Sequence, residues 1–481
     1  MKKILLILLG VFCLLAGALL ARTARFTSRQ IEVSAAQEIK LDREAMVTRL
    51  SEAVRHKTVS YAGATEFERL HAFLAKSFPA VHTQLTKEVI GGQSLFYAWK
   101  GQDSGLKPIL LMAHLDVVPV DPTTEKSWTY PPLSGRMADG YLWGRGTMDD
   151  KAGVVGILEA VEYLLTNGFK PRRTIYLAFG HDEEIGGSNG AAKIAELLRA
   201  RGVELDFVLD EGGNIVEGII PRVSVPVALI GVAEKGYVSL ELTVEAPGGH
   251  ASTPPPQTAI GTLSRAIDKL ERSPFPSRLT EPVRKMLEFI GPEMTWHKRI
   301  ILANLWLFGP LVRREFARSP MTDATIRTTQ AATIFETGVK ENVLPAKARA
   351  VVNARILPGD TIAQVIDHAR KAVDDSRVKI APLAIRVEPS PVADTESPGF
   401  KLIHRTIREV APEVLVAPSL LVAATDSRHY ANLSRNIFRF LPITIRAEDA
   451  RRFHGIDERI AVKDYERCVR FFVQLIRNSQ P

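Results

Sequence analysis

Acidic and histidine side chains recur in this sequence just after short apolar runs. His114 and Asp116 follow the run 109–113, Glu183 and Glu184 follow 174–179, and Asp210 and Glu211 follow 207–209. Asp149 and Asp150 stand before a helix-patterned stretch that starts near Lys151, and His454 lies beyond the run 436–445. Gathered on one edge, five ligands from five loops can hold two divalent cations about 3.5–4 Å apart, with one bridging carboxylate and the others capping. Imidazole and carboxylate donors suit zinc, with manganese or cobalt as substitutes. In the adjacent pair Glu183 and Glu184, one carboxylate can bind metal while the other takes a proton from an activated water. Burial and carboxylate neighbours raise the pKa of the free one, and the cations oppose this. Asp116 is spaced to accept the far N–H of His114 and fix its ring. Singly, each pair has an ordinary explanation: Asp149 or Asp150 as a helix cap, Glu183 and Glu184 as solvated surface. Their shared position at the carboxyl ends of predicted strands is what points to a site, because ligands bind at that edge of open α/β sheets.

The elements that must carry these residues follow from hydrophobic period. Continuous apolar runs at 109–113, 174–179 and 207–209 predict buried parallel strands. Val154, Ile157, Leu158, Val161 and Leu165 recur at helical spacing, and 43–54, 66–78 and 191–199 share that pattern. Alternating strands and helices predict an α/β sheet with helices on its faces. Near Gly231 the pattern changes. The stretches 238–244 and 348–356 alternate apolar and polar residues as half-exposed antiparallel strands do, and 259–272 and 362–373 read as helices. This predicts an inserted α+β unit over 232–388, interrupting a first domain at 42–231 and 389–481. The segment 296–312 holds Trp296, Ile300, Ile301, Leu302, Leu305, Trp306, Leu307, Phe308, Leu311 and Val312. Such a dense patch reads first as core, with an acyl-chain pocket or a membrane-facing surface as the other readings.

Composition excludes several classes. The chain has 481 residues, 46% hydrophobic and 24% charged, enough for two domains with their own cores. A net charge of +8 with no dense basic run outside the N-terminal flank argues against nucleic acid. Two cysteines, Cys13 and Cys468, support neither a disulfide framework nor a thiolate zinc site. Lys2 and Lys3 precede an unbroken apolar run to Ala21, with Arg22, Arg25 and Arg29 beyond. This predicts a membrane anchor or signal peptide over 1–22, then a polar tether over 23–41 and a body outside the cytoplasm, either anchored or secreted or periplasmic.

The stretches MAHLDVVPV, LWGRGTMDDKAG, AFGHDEEIGG, DEGG, GGHAS, ENVLP and RFHGIDE occur here in one order. That order resembles the co-catalytic zinc exopeptidases and amidohydrolases, a family that includes aminoacylase, bacterial glutamate carboxypeptidase and yeast carboxypeptidase S. The likeness extends from about residue 42 to the end and is greatest to the carboxypeptidase S branch and its relative, the N-fatty-acyl-amino-acid synthase/hydrolase. It implies a catalytic domain with a parallel-rich central sheet, interrupted by a lid and dimerisation domain. It implies two zinc ions, one bound by His114, both bridged by Asp149, the second bound by Glu184 and His454, with Glu211 or the adjacent Asp210 as fifth ligand. Glu183 would be the general base, returning its proton to the leaving amine, and Asp116 would orient His114. His250 would reach the carbonyl oxygen of the tetrahedral intermediate, from the partner subunit in dimeric relatives, with Asn342 assisting. Arg355 and Arg428 would grip the substrate carboxylate, a task that suits a guanidinium fork. His181 is not expected to bind metal.

The expected activity is cleavage of the amide bond of an N-acyl amino acid, the acyl group long or short, or of a short peptide with a free C-terminal carboxylate. Peptide scavenging of the carboxypeptidase S kind and reversible synthesis of N-acyl amino acids are the alternatives. A non-catalytic peptide-binding relative is the remote one, and the intact ligand set and base argue against it.

Overall fold

The computed structural model describes residues 1–220 and 223–480. Ile109–His114 is buried throughout and pairs in parallel with Ile175–Gly180 on one side and Val208–Asp210 on the other. Its period of two splits its side chains between two layers. Leu111 and Ala113, with Leu177 and Phe179, join a cluster packed under helix Lys151–Thr166. Leu110 and Met112, with Ala178, join one that includes Ile194 and Leu198 of helix Ala191–Ala200. Being covered on both faces explains why these strands read as unbroken apolar runs.

Among the described residues the central sheet has ten strands. Its order runs Thr86–Ile90, Ser94–Trp99, Ile175–Gly180, Ile109–His114, Val208–Asp210, Ile437–Arg439, Val227–Glu234, Ile215–Glu217 and Thr444–Arg446, with Leu415–Leu421 also on Val227–Glu234. Five pairings are parallel and four antiparallel, so the sheet is parallel-rich as expected. The run 436–445 breaks into two short strands, Ile437–Arg439 and Thr444–Arg446. The C-terminal helix Val462–Asn478 packs on Lys151–Thr166, where Cys468 lies buried beside Gly156.

A second sheet of four antiparallel strands has the order Thr329–Thr337, Lys347–Ile356, Gly236–Glu245, Val378–Val387. Val238, Leu240, Leu242 and Val244 point to one face with Ala348, Ala350, Val352 and Ala354, beneath helices Ala259–Glu271 and Ile362–Val373. Thr329–Thr337 is an edge strand and exposes Ile334 and Phe335. Between its strands the chain makes an excursion through helices Glu281–Ile290, Trp296–Ala303, Leu305–Phe316 and Pro320–Ile326. Val283, Met286, Leu287, Phe289, Ile290, Val312, Phe316 and Ile326 all join the core of the central sheet, not that of the second. Within the patch 296–312, Ile301, Leu302, Leu305 and Val312 face this core, whereas Trp296, Trp306, Leu307 and Leu311 are exposed.

Helix Lys2–Arg25 is long and apolar enough to cross a membrane. The stretch after it lies against the body. Gln30 bonds both the N–H and the carbonyl of Val416 at 2.8 and 2.9 Å, Ala36 N–H donates to Glu409 O, and Ile39 enters the core.

Candidate active site

His114, Glu183, Glu184, Asp210 and Glu211 stand at or just beyond strand ends of the central sheet. His114 closes Ile109–His114, and Glu183 and Glu184 form a tight turn just after Ile175–Gly180. Asp210 closes its strand and Glu211 follows it. Asp150 caps helix Lys151–Thr166 through the Gly153 N–H, which leaves Asp149 free to face the cleft. His454 arrives on the loop before the last strand, at φ 57°.

The two oxygens of Asp149 face different histidines. Oδ1 is 2.9 Å from His114 Nε2, and Oδ2 is 3.1 Å from His454 Nε2. His454 Nε2 is also 3.2 Å from Glu184 Oε2. Donor atoms of His114, Asp149 and Glu211 lie within 4.8 Å of one another, as do those of Asp149, Glu184 and His454, and those of His114, Glu183 and Glu184. Asp149 thus joins two donor groups, the position of a bridging carboxylate. Asp210 belongs to none of these groups. Its Oδ2 accepts the Ser427 N–H at 2.8 Å and its Oδ1 the Glu211 N–H, so Glu211 is the one of the pair turned to the cleft.

A buried frame supports the cluster. Asp116 has no exposed surface. Its Oδ1 lies 3.3 Å from His114 Nδ1 and accepts the Glu183 N–H, and its Oδ2 accepts from Glu184 N–H and Ser60. Asp116 therefore fixes the histidine ring through its main-chain carbonyl, 3.0 Å from Nδ1, together with its carboxylate, and the carboxylate also holds the glutamate turn. Glu458, which the sequence reading passed over although it ends the RFHGIDE stretch, accepts the Met148 and Asp149 N–H groups and pairs with Arg145 at 2.6 Å. Asp426, also passed over, is buried, and among the described residues neither of its oxygens has a hydrogen-bond partner. Gly187, at φ 67°, lies so close to this carboxylate that a side chain there would collide with it. His181 bonds Ser94 Oγ at 2.7 Å, away from the donor groups.

Burial dominates the electrostatics. It pushes the Glu183 carboxyl well above the usual range, with Asp426, Glu184 and Asp149 adding to the effect and His114 opposing it. Glu211 is raised by burial and by Asp149, Asp150 and Asp210. Asp149 is half-buried, but hydrogen bonds to His114 and His454 hold it below its ordinary value. Hydrogen bonds to Asp149 and Glu184 lift His454 to about 10.

Beside Asp149, Glu183, Glu184 and His454 lies a cavity of about 470 Å³. Its far walls are apolar: Ile219, Ile220, Leu229, Met286, Phe316 and Leu421 are among them. The loop carrying Arg428 is held by a buried network. Glu234 accepts the Thr425 N–H and hydroxyl, and pairs with Arg439 at 2.9 Å. Arg428 donates to Gly186 O at 2.8 Å, behind the glutamate turn. Arg355 stacks on Tyr237 at 5.0 Å, and its charge is destabilised by burial and by nearby Arg428. His250 and Asn342 stand together on an exposed hairpin, where Ala251 N–H donates to Asn342 O, and neither lines the cavity.

Residues 110–478 match the model of Peptidase family M20/M25/M40. The chain belongs to this family. It is 44% identical over 485 residues to "Probable carboxypeptidase S-like 2" of Dictyostelium discoideum, covering 97% of this chain and 93% of that one. It is 43% identical over 446 residues to "N-fatty-acyl-amino acid synthase/hydrolase PM20D1" of Xenopus tropicalis, covering 91% and 86%. Among solved structures, an M20 family metallo-carboxypeptidase from Sulfolobus solfataricus superposes with a TM-score of 0.66 over 90% of this chain and 98% of that one, at 17% identity. That likeness is one of fold. This M20 protein is an enzyme of the hydrolase class, and M20 peptidases depend on metal, generally zinc. The residues present fit such ions. The donor set is imidazole and carboxylate, Glu184 Oε1 is buried with no hydrogen-bond partner among the described residues, and crowded carboxylates whose charges are disfavoured by burial are what a cation would stabilise.

Proposed function

We propose that this M20 enzyme is a two-zinc amidohydrolase that releases amino acids from N-acyl amino acids with long acyl chains. The observation that carries the reading is the apolar cavity of about 470 Å³ that opens directly beside Glu183 and Asp149. Its size falls in the range of small-molecule sites, and its lining suits a hydrocarbon chain rather than a polar peptide. The name of the Xenopus tropicalis relative points the same way.

In this reading His114, Asp149 and Glu211 hold one ion, and Asp149, Glu184 and His454 the other, with manganese or cobalt able to replace zinc. When bound, the ions supply Lewis acidity that acidifies water and polarises the scissile carbonyl. Glu183, its affinity for protons raised by burial, takes the proton of the attacking water and hands it to the leaving amine. Asp116 keeps His114 and the glutamate turn in place. Arg428 and Arg355 bind the amino-acid carboxylate. His250 and Asn342 serve the oxyanion from a partner subunit, which agrees with their exposed hairpin and with the exposed edge strand Thr329–Thr337 as a dimer contact. The body works outside the cytoplasm, behind its N-terminal helix.

The test is hydrolysis of N-long-chain-acyl amino acids, N-acetyl amino acids and dipeptides by the full chain, before and after chelation and with zinc restored. Metal-dependent release from the long-chain amides supports the reading. Turnover of dipeptides alone favours the carboxypeptidase S-like alternative, which the Dictyostelium discoideum relative's name keeps in view. Net condensation of fatty acid with amino acid would establish the synthase direction.

A further inference from the structure

The exposed half of the patch 296–312 has a distinctive neighbour. Trp296, Trp306 and Leu311 are each more than half exposed, and Leu307 is 40% exposed. The last turn of the apolar helix Lys2–Arg25 packs against this same segment. Asn304 donates to Leu19 O and lies 3.3 Å from Thr23 Oγ1, while Trp306 Nε1 donates to Asn304 Oδ1 at 3.3 Å. An exposed tryptophan is therefore linked through one asparagine to the end of the helix.

The chain beyond cannot swing freely. The Phe26 ring abuts Gly291, Arg29 pairs with Glu288 and Glu396, and Gln30 is clamped on Val416. A helix of 24 residues spans about 36 Å at 1.5 Å per residue, sufficient for a bilayer core. With its exit pinned to the body, the face beside the exit has to meet the bilayer surface. Its chemistry suits that place. Tryptophan favours the membrane interface, and basic residues lie within and next to the patch: Arg22 and Arg25 end the helix, and Arg314 is exposed in the last turn of Leu305–Phe316. Such cations complement anionic headgroups.

We infer that helices Trp296–Ala303 and Leu305–Phe316 form a platform that seats the body on a lipid bilayer, with Trp296, Trp306, Leu307 and Leu311 inserted at the headgroup level.

The native tryptophans report on this directly. Helix Lys2–Arg25 contains none, and of the five in the chain Trp99, Trp128 and Trp143 are buried in the body. The full chain is reconstituted in vesicles of phosphatidylcholine and phosphatidylserine, with and without acyl-chain-brominated phosphatidylcholine as a short-range quencher. The expected result is a loss of emission of up to two-fifths, the share of two tryptophans in five. It should vanish in the double variant Trp296→Phe, Trp306→Phe, whose substitutions lie on the surface and keep an aromatic ring. Unchanged emission while the chain floats with the vesicles, failure of the chain to float, or equal quenching of the double variant would each overturn the inference. None of these results depends on the substrate.

Discussion

Replacing Asp116 with asparagine removes one charge while keeping the shape of the side chain, and the structure dictates what must then fail. All four neighbours of the carboxylate are donors or can donate: His114 Nδ1 and Glu183 N–H at Oδ1, Glu184 N–H and Ser60 Oγ at Oδ2. An asparagine has to turn its NH2 group toward one pair. Turned to the first, it faces the histidine nitrogen and a backbone N–H. Turned to the second, Ser60 can rotate to accept, but the Glu184 N–H is left without a partner. Either way at least one buried donor goes unsatisfied, at a cost of about 1–3 kcal/mol. His114 also loses its anionic neighbour, and loss of such a partner weakens metal binding by about 10–100-fold. The assay is competition for zinc against a chelating indicator, followed by kcat/KM at saturating zinc. Asp116→Asn should show both the weaker affinity and a residual rate loss, because the peptide of Glu183 is displaced. Ser60→Ala, which keeps the charge and all three other partners, should bind zinc nearly as the parent does. Parental affinity and rate in Asp116→Asn would refute the assignment of Asp116 as the residue that positions both the ring and the base.

Three further outcomes follow from the same geometry. Glu183→Gln should lower kcat by about 10²–10⁴-fold, the usual contribution of a general base, with two metals per chain still found by elemental analysis; a matching loss of metal would make Glu183 a ligand instead. Arg439→Met leaves Glu234 without its partner in an ion pair whose side chains are 1% and 2% exposed, so denaturant unfolding should show a loss of about 3–5 kcal/mol, and an unchanged midpoint would mean that Glu234 finds another partner. His404 lies in the core between Phe289 and Phe400, and burial, helped by Arg408, depresses it to about 3. Its neutral form is the folded one, so its contribution is complete above about pH 6.5 and is lost as the pH falls toward 3, at up to about 1.4 kcal/mol per pH unit. Because His404 Nε2 faces the Ile31 N–H at 3.4 Å, acid should also loosen the segment after the N-terminal helix. Acid unfolding of His404→Gln with the same pH slope as the parent would remove this histidine from the account.

The donor cluster was legible because its information is local. His114, Asp149, Glu184 and Glu211 each sit within a few residues of a strand end or a helix start, and fully buried strands announce themselves as apolar runs. The resemblance already favoured Glu211 over Asp210; the fold adds that Ser427, more than two hundred residues away, donates to Asp210. Asp426 escaped notice. Its sequence neighbours do not mark it as buried, and the approaches of Gly180 and Gly187 show that its carboxylate stands behind the glutamate turn. The strands Ser94–Trp99 and Leu415–Leu421 went unread; the first mixes Ser and Tyr into its apolar run, and the second carries Pro418 and Ser419, which weaken a strand signal.

The segment 281–326 carries the larger lesson. Its apolar patch at 296–312 is plain in sequence, but such a patch does not state which core receives it. Placed in sequence between two strands of the second sheet, it packs on the first instead. That placement makes Met286 and Phe316 walls of the cavity beside the donor cluster, while Trp306 and Leu311 of the same excursion remain outside. Core, pocket wall and exposed apolar surface had looked like competing readings of one patch. They coexist because a helix of 12 residues, Leu305–Phe316, makes more than three turns and presents different neighbours around its circumference. Substitutions on the outer face should therefore leave the cavity's shape intact, whereas Phe316→Ala should enlarge it, and that contrast separates the proposed acyl-chain pocket from the proposed membrane platform.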